Sequence, residues 1–240
     1  MITWGISANS HNAALAVFDN NKLMFASDSE RFSKVKNDPD LNTELIKYAL
    51  QYGKPDKVIW YERPWLKTLR QLTAGQGFQD NNVKRYLKKY GIEAPIKTTS
   101  HHKSHAAAGY YTSKFDNACV LVIDAIGEFE CFTQWEAQGN TLTKYNVLEY
   151  PQSLGLFYSA MTQRCNLKPN EEEYILMGMA ALGNPNRLFK DIFNDFIELP
   201  NDDYGHPYRL KKNLHRGCKD WRSDLNSQQD LFDDSQYGWS

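Results

Sequence analysis

Ile2-Thr3-Trp4-Gly5-Ile6, Ala13-Ala14-Leu15-Ala16-Val17-Phe18 and Lys22-Leu23-Met24-Phe25-Ala26 are three apolar runs that follow one another closely at the start of the chain. Asp19-Asn20-Asn21 separates the last two, and such short polar side chains suit a tight turn because they hydrogen-bond their own backbone. Three runs joined so closely predict an antiparallel meander. Downstream, Leu45, Tyr48, Ala49 and Tyr52 recur at helical spacing between Thr43 and Tyr52, and Gly53 stops that helix. Lys57-Val58-Ile59-Trp60-Tyr61 reads as a buried strand. Val83 to Tyr90 reads as a short amphipathic helix ended by Gly91.

The middle of the chain repeats the idea. Ala118-Cys119-Val120-Leu121-Val122-Ile123-Asp124 gives the strongest strand signal, and Cys131 to Glu136 and Leu142 to Leu148 follow as two more, with Gly139-Asn140 turning between them. Ser153 to Cys165 and Glu171 to Leu182 read as helices. A meander with helices, then a second meander with helices, predicts the α/β class: a mixed sheet with flanking helices. From residue 184 the composition shifts to Asn, Asp, Gly and aromatics, and only Leu188 to Phe196 reads as helix. The expected organisation is therefore one lobe over 1–183 and an irregular polar continuation over 184–240, in a chain that stops before its fold does.

Lys and Arg total 28 against 29 Asp and Glu, a net charge of -1. So even a balance carries no basic footprint for nucleic acid or an anionic membrane. No apolar run approaches the roughly 20 residues of a membrane helix, and the N-terminus lacks a signal-peptide pattern. The expectation is a soluble, cytoplasmic protein. Cys119, Cys131, Cys165 and Cys218 are scattered without a CxxC pair, so they are expected as reduced core thiols.

Several clusters carry groups able to do chemistry. His101-His102-Lys103-Ser104-His105 holds three of the six histidines, after Ser100 as a helix cap and before Ala106-Ala107-Ala108. On a helix, His101 and His105 share a face and suit one metal ion, with His102 about 100° round. The plain alternative is a polar helix start with solvated histidines. Asp124-Ala125-Ile126-Gly127-Glu128 ends the strongest strand, where a carboxylate suits a cation or hydroxyl and a glycine turn suits phosphate; strand-end aspartates are also common turn residues. Ser7 to Asn12 links the first two strands, and its His11 is either a general base or part of an ordinary hairpin loop. Glu30-Arg31-Phe32-Ser33-Lys34-Val35-Lys36 offers three cations to a phosphate or carboxylate, or simply a solvated face. Gly178, inside a helical run, points to close approach by backbone or ligand, since glycine there costs about 1 kcal/mol.

In this order, the motifs Gly5-Ile6-Ser7 through Ala14, Ala26 to Ser33, His101 to Ala107, Val122 to Glu128, Ser153 to Tyr158 and Tyr174 to Gly183 resemble one family. The chain looks like the N-terminal part of the O-carbamoyltransferases that decorate nodulation factors and antibiotics. That resemblance implies an actin/hexokinase-like, ribonuclease H-like fold, of which this chain carries the first lobe. It implies transfer of a carbamoyl group from carbamoyl phosphate, through a carbamoyl adenylate made with ATP, to a small-molecule acceptor hydroxyl. By the same resemblance His101 and His105 hold a divalent metal, iron first and zinc or magnesium next. His11 matches the active-site histidine, Lys36 with Glu30 and Arg31 lies by the substrate phosphate, and Asp124, Gly127 and Glu128 face the nucleotide.

The chain departs from the family pattern at Asn12, Ala125 and Ile175, where the family has aspartate, glycine and lysine. The resemblance also implies a second lobe and an adenylate-forming domain, so the chain is expected to be either a fragment or one piece of a split enzyme with those parts on a separate chain. The alternative is an inactive truncated remnant or a partner-binding lobe. A sugar-kinase-like ATPase on the same fold ranks third, since it does not need the paired histidines.

Overall fold

The computed structural model describes residues 1–10, 12–73, 77–200 and 205–222. The chain divides into two compact units, Met1–Thr112 and Ser113–Ser240. That boundary falls inside the span 1–183, so the span holds one whole unit and the start of another.

The first unit runs β1 (Ile2–Ser7), β2 (Ala14–Asp19), β3 (Lys22–Asp28), α1 (Glu30–Ser33), α2 (Thr43–Leu50), β4 (Lys57–Trp60), α3 (Pro64–Thr73), α4 (Val83–Lys88), β5 (Ile96–Thr98) and α5 (His101–Tyr111). Its sheet has the order β3-β2-β1-β4-β5. The meander is antiparallel as expected, while β4 joins β1, and β5 joins β4, in parallel. Register puts Trp4 opposite Val17 and Val58, and Ile6 opposite Leu15 and Trp60. Strand side chains alternate, so these six share one face, and each is buried. Leu45, Ile46 and Ala49 of α2 and Val83, Tyr86 and Leu87 of α4 close over them. Burying each large side chain contributes roughly 1.5–3 kcal/mol, so this face holds the unit together. Asn42 and Asn82 start α2 and α4 by accepting hydrogen bonds from the Leu45 and Arg85 amides, both at 2.9 Å.

Helix α3 has no counterpart in the sequence reading, and its amphipathic pattern is inverted. Lys67 and Gln71 are buried, while Trp65, Leu69 and Leu72 face outward, 64%, 46% and 47% exposed.

The second unit runs β6 (Asn117–Gly127), β7 (Glu130–Gln138), β8 (Thr141–Glu149), α6 (Leu154–Arg164), α7 (Glu173–Ala180), α8 (Phe189–Phe196), β9 (Ile197–Glu198) and β10 (Arg209–Leu210), then a short 3-10 turn at Leu214–Arg216. Strands β6, β7 and β8 form an antiparallel sheet in that order, so β6 is its end strand among the described residues. Leu121 and Ile123 of β6 are exposed. Strand β6 continues past Asp124, but its register with β7 breaks between Ile123 and Gly127. Residues beyond 184 contribute to the packing: Tyr208 and Leu210 pack with Phe132 and Leu148, and Phe196 and Leu214 with Ala160.

Cys131 and Cys165 are buried as expected, but Cys119 is exposed and Cys218 only half-buried, and none of the four is in a disulfide. Beside Gly178 a Cβ would meet nothing within 4 Å, and Met177 is exposed, so the expected close approach is not found among the described residues. Among those residues no helix is long and apolar enough to cross a membrane.

Candidate functional site

Helix α5 buries one stripe, His102, Ala106 and Tyr110, at i, i+4 and i+8. His101 and His105 stand one step round from it, as the spacing predicts, with His101 partly buried and His105 exposed. Their Nε2 atoms are 3.1 Å apart. Two nitrogens that far apart, each about 2.1 Å from a common ion, subtend roughly 95° at it, near the right angle between neighbouring octahedral ligands. The pair therefore fits a divalent metal, with coordination positions left over for other groups.

The helix is fixed by its neighbours in the same unit. Ser104 Oγ donates to the Tyr61 carbonyl at 2.7 Å, tying α5 to the residue just after β4. The Tyr61 ring meets His101 edge-on, with centroids 5.5 Å apart. Burial, with the Glu62 carboxylate beside it, pushes the Tyr61 hydroxyl well above its ordinary pKa, so it stays protonated. Glu62 pairs with Lys67 at 2.8 Å, and Lys67 also donates to the Asn9 carbonyl at 2.7 Å. Neither Glu62 nor Lys67 was singled out from the sequence. Pro64 at the first position of a helix was the available signal, but the outward apolar stripe of α3 concealed which side faces in.

His11 lies outside the described residues. Its flanks do not: Asn9 and Asn12 both adopt left-handed backbone, φ 62° and 53°. Asn tolerates that conformation better than most residues, which gives Asn12 a backbone role. The Asn9 and Ala13 amides donate to the Pro39 and Asp38 carbonyls, so the loop is held at both ends.

The charged segment after β3 is largely self-paired. Lys36 Nζ lies 3.1 Å from Glu30 Oε1, and the Arg31 amide donates to Asp28 Oδ1 at 3.0 Å. Hydrogen bonds from Lys36 and from the Asn37 amide hold the Glu30 carboxyl below its ordinary pKa. Lys36 is 79% exposed, and exposed pairs contribute only about 0–1 kcal/mol, so both cations remain open to an incoming anion.

In the second unit Asp124 sits where β6 leaves its ladder. Its carboxylate accepts from the Ala125 amide at 2.7 Å and its carbonyl accepts from Ser153 Oγ at 3.0 Å. Ser153 also caps α6 by accepting from the Leu156 amide at 3.0 Å. Ala125 has no positive φ, whereas the buried Glu128 does, at 61°. Gly127 pairs with Glu130 across the two-residue turn, and Glu130 is held by Lys144. Glu173 accepts from Ser159 Oγ at 2.8 Å and so links α7 to α6.

Comparison with known proteins agrees with the motif order. The chain is 32% identical over 229 residues to an uncharacterized protein of Synechocystis, covering 82% of this chain and 37% of that one. It is 25% identical over 206 residues to the nodulation protein NolNO of Sinorhizobium fredii, covering 79% of this chain and 30% of that one. The chain thus spans about a third of the length of these relatives. Among solved structures it is similar to YeaZ from Pseudomonas aeruginosa, at 10% identity and a TM-score of 0.35, covering 63% of this chain and 68% of that one. The family model described as carbamoyltransferase N-terminus matches residues 57–238. This chain belongs to that carbamoyltransferase family.

Proposed function

We propose that the chain is the N-terminal part of an O-carbamoyltransferase that takes carbamoyl phosphate and ATP, by way of carbamoyl adenylate, and carbamoylates the hydroxyl of a small molecule. The reading rests on the family match together with the paired Nε2 atoms of His101 and His105. These two imidazoles would hold a divalent ion, iron(II) first and zinc or magnesium next. Such an ion, when bound, supplies a Lewis acid for a carbonyl oxygen. In the transfer the acceptor oxygen bonds to the carbamoyl carbon, the bond to AMP breaks, and AMP leaves.

The chain's own residues do the rest. Lys36 and Arg31 release their weak carboxylate partners to meet phosphate oxygens. Until phosphate arrives, Glu30 holds Lys36 beside the segment at 3.1 Å. Asp124 and the Gly127–Glu128 turn contribute a carboxylate and backbone amides to the nucleotide. His11, in the loop that the Asn9 and Ala13 amides hold at its two ends, takes the acceptor proton. The adenylate-forming machinery lies outside these 240 residues in this proposal.

Reconstitution tests it. The chain is mixed with a polypeptide equivalent to the remaining two thirds of NolNO, then given iron(II), ATP and radiolabelled carbamoyl phosphate with a panel of alcohols. ATP-dependent label transfer that requires both pieces supports the proposal. No transfer, although the pieces associate, overturns it. The departures at Asn12, Ala125 and Ile175 favour one second reading, a partner-binding remnant, which predicts that association without turnover.

A further inference from the structure

We infer that Glu62, clamped by Lys67, is a positioning residue that sets the ring tautomer of His101 and thereby prepares the paired histidines to hold metal. The inference rests on the metal reading above and deepens it.

Glu62 and Lys67 are each only 6% exposed. Burying two charges is costly unless each is well partnered, and α3 turns its polar stripe inward and its apolar stripe outward to do so. Lys67 binds Glu62 Oε1 at 2.8 Å and the Asn9 carbonyl at 2.7 Å. With Oε1 committed to Lys67, Oε2 is the oxygen that faces His101, 4.0 Å from Nδ1, about 1 Å beyond hydrogen-bond reach; the Tyr61 hydroxyl also hydrogen-bonds this carboxylate. The Ser104 bond to Tyr61 keeps α5 against the residue adjoining Glu62, so ring and carboxylate cannot drift apart independently.

The chemistry follows from the donor inventory. A carboxylate offers only lone pairs, so it favours a proton on Nδ1 of the ring it faces. The Nε2 of His101 then carries its lone pair on the side where His105 Nε2 lies 3.1 Å away. A carboxylate behind a metal-binding imidazole orients the ring and fixes the nitrogen that binds.

Glu62→Gln gives a sharp test, because the new amide keeps its oxygen on Lys67 and turns its NH2 toward Nδ1. The NH2 donates, Nδ1 must accept, and the proton moves to Nε2. Imidazole 15N spectra of the full, metal-free chain, taken with the ring neutral, are expected to show the Nδ1–H form in the parent and the Nε2–H form in Glu62→Gln. Cobalt(II) titration followed by visible absorption is expected to weaken by roughly 10–100-fold in Glu62→Gln and to vanish in His101→Ala. Unchanged tautomer and unchanged cobalt affinity in Glu62→Gln overturn the positioning role. Cobalt binding that ignores His101 overturns the metal reading itself, and the nitrogen spectra then still decide the part about Glu62. Should Glu62→Gln fail to fold, Glu62→Asp keeps the charge for Lys67 but withdraws the second oxygen; the same weakening is expected, and parent-like affinity overturns the inference.

Discussion

A carbon placed as Cβ on Gly155 would stand 2.7 Å from the Ala125 amide nitrogen. The first turn of α6 therefore rests directly on the backbone where β6 leaves its ladder, and the Ser153 bond to the Asp124 carbonyl fixes the contact. Gly155→Ala is expected to destabilise the chain by about 1–3 kcal/mol, the range for an overfilled contact. Gly178→Ala, in open space on α7, is expected to stabilise by about 0.5–1 kcal/mol. Urea unfolding of the two variants checks both signs.

Metal should reveal itself through stability. An ion that binds only the folded chain stabilises it by about 2.7 kcal/mol at a hundred times its dissociation constant. Iron(II) under anaerobic conditions, or cobalt(II), is expected to raise the melting temperature of the parent and to leave His101→Ala and His105→Ala unmoved. A rise retained in both variants would place the ion elsewhere.

Ser104 anchors α5 with one hydrogen bond to the Tyr61 carbonyl, and an ordinary bond of this kind contributes about 1 kcal/mol. Ser104→Ala is expected to cost that much in denaturant unfolding and also to weaken cobalt binding, since the histidine pair loses its tie to β4. Loss of stability with metal affinity intact would confine Ser104 to a packing role.

Burial pushes the thiols of Cys165 and Cys218 up to about 11. In the unfolded chain they ionise near their ordinary value of 9.0. Their contribution to stability is thus intact below pH 9 and is lost as pH climbs toward 11. Iodoacetamide at pH 8 is expected to label the exposed Cys119 first and to spare Cys165 and Cys218. Peptide mapping after brief alkylation reads the order.

Glu30 works in the opposite direction. Lys36 and the Asn37 amide depress its titration, so this small contribution is present above about pH 4.5 and is lost as acid is added. Lys36→Ala is expected to return the Glu30 midpoint toward its ordinary value, followed by carboxyl 13C shifts. The same substitution should weaken phosphate binding, because it removes one of the exposed cations of the segment.

Both meanders and the histidine helix were legible because each rests on local patterns: apolar alternation in Leu15 and Val17, asparagine at the turns, and four-residue spacing between His101 and His105. Helix α3 was not, because Trp65, Leu69 and Leu72 obey the helical period while facing solvent, and the period alone does not say which side is buried. The Glu62–Lys67 clamp stayed hidden for the same reason: a buried ion pair breaks the rule that charged residues lie outside. The motif order legible in the sequence matches the family now established. The close backbone approach expected at Gly178 is not found among the described residues, since a helical glycine reads alike whether crowded or open, and only the packing separates it from Gly155.

Among the described residues strand β6 is an end strand of its sheet, over eleven residues of extended backbone, with the Leu121 and Ile123 side chains exposed on one face. A long apolar margin of this kind is a template on which another chain adds by main-chain pairing. At high concentration the polypeptide is therefore expected to self-associate through that margin. Dilute samples and a capping peptide are the practical remedy.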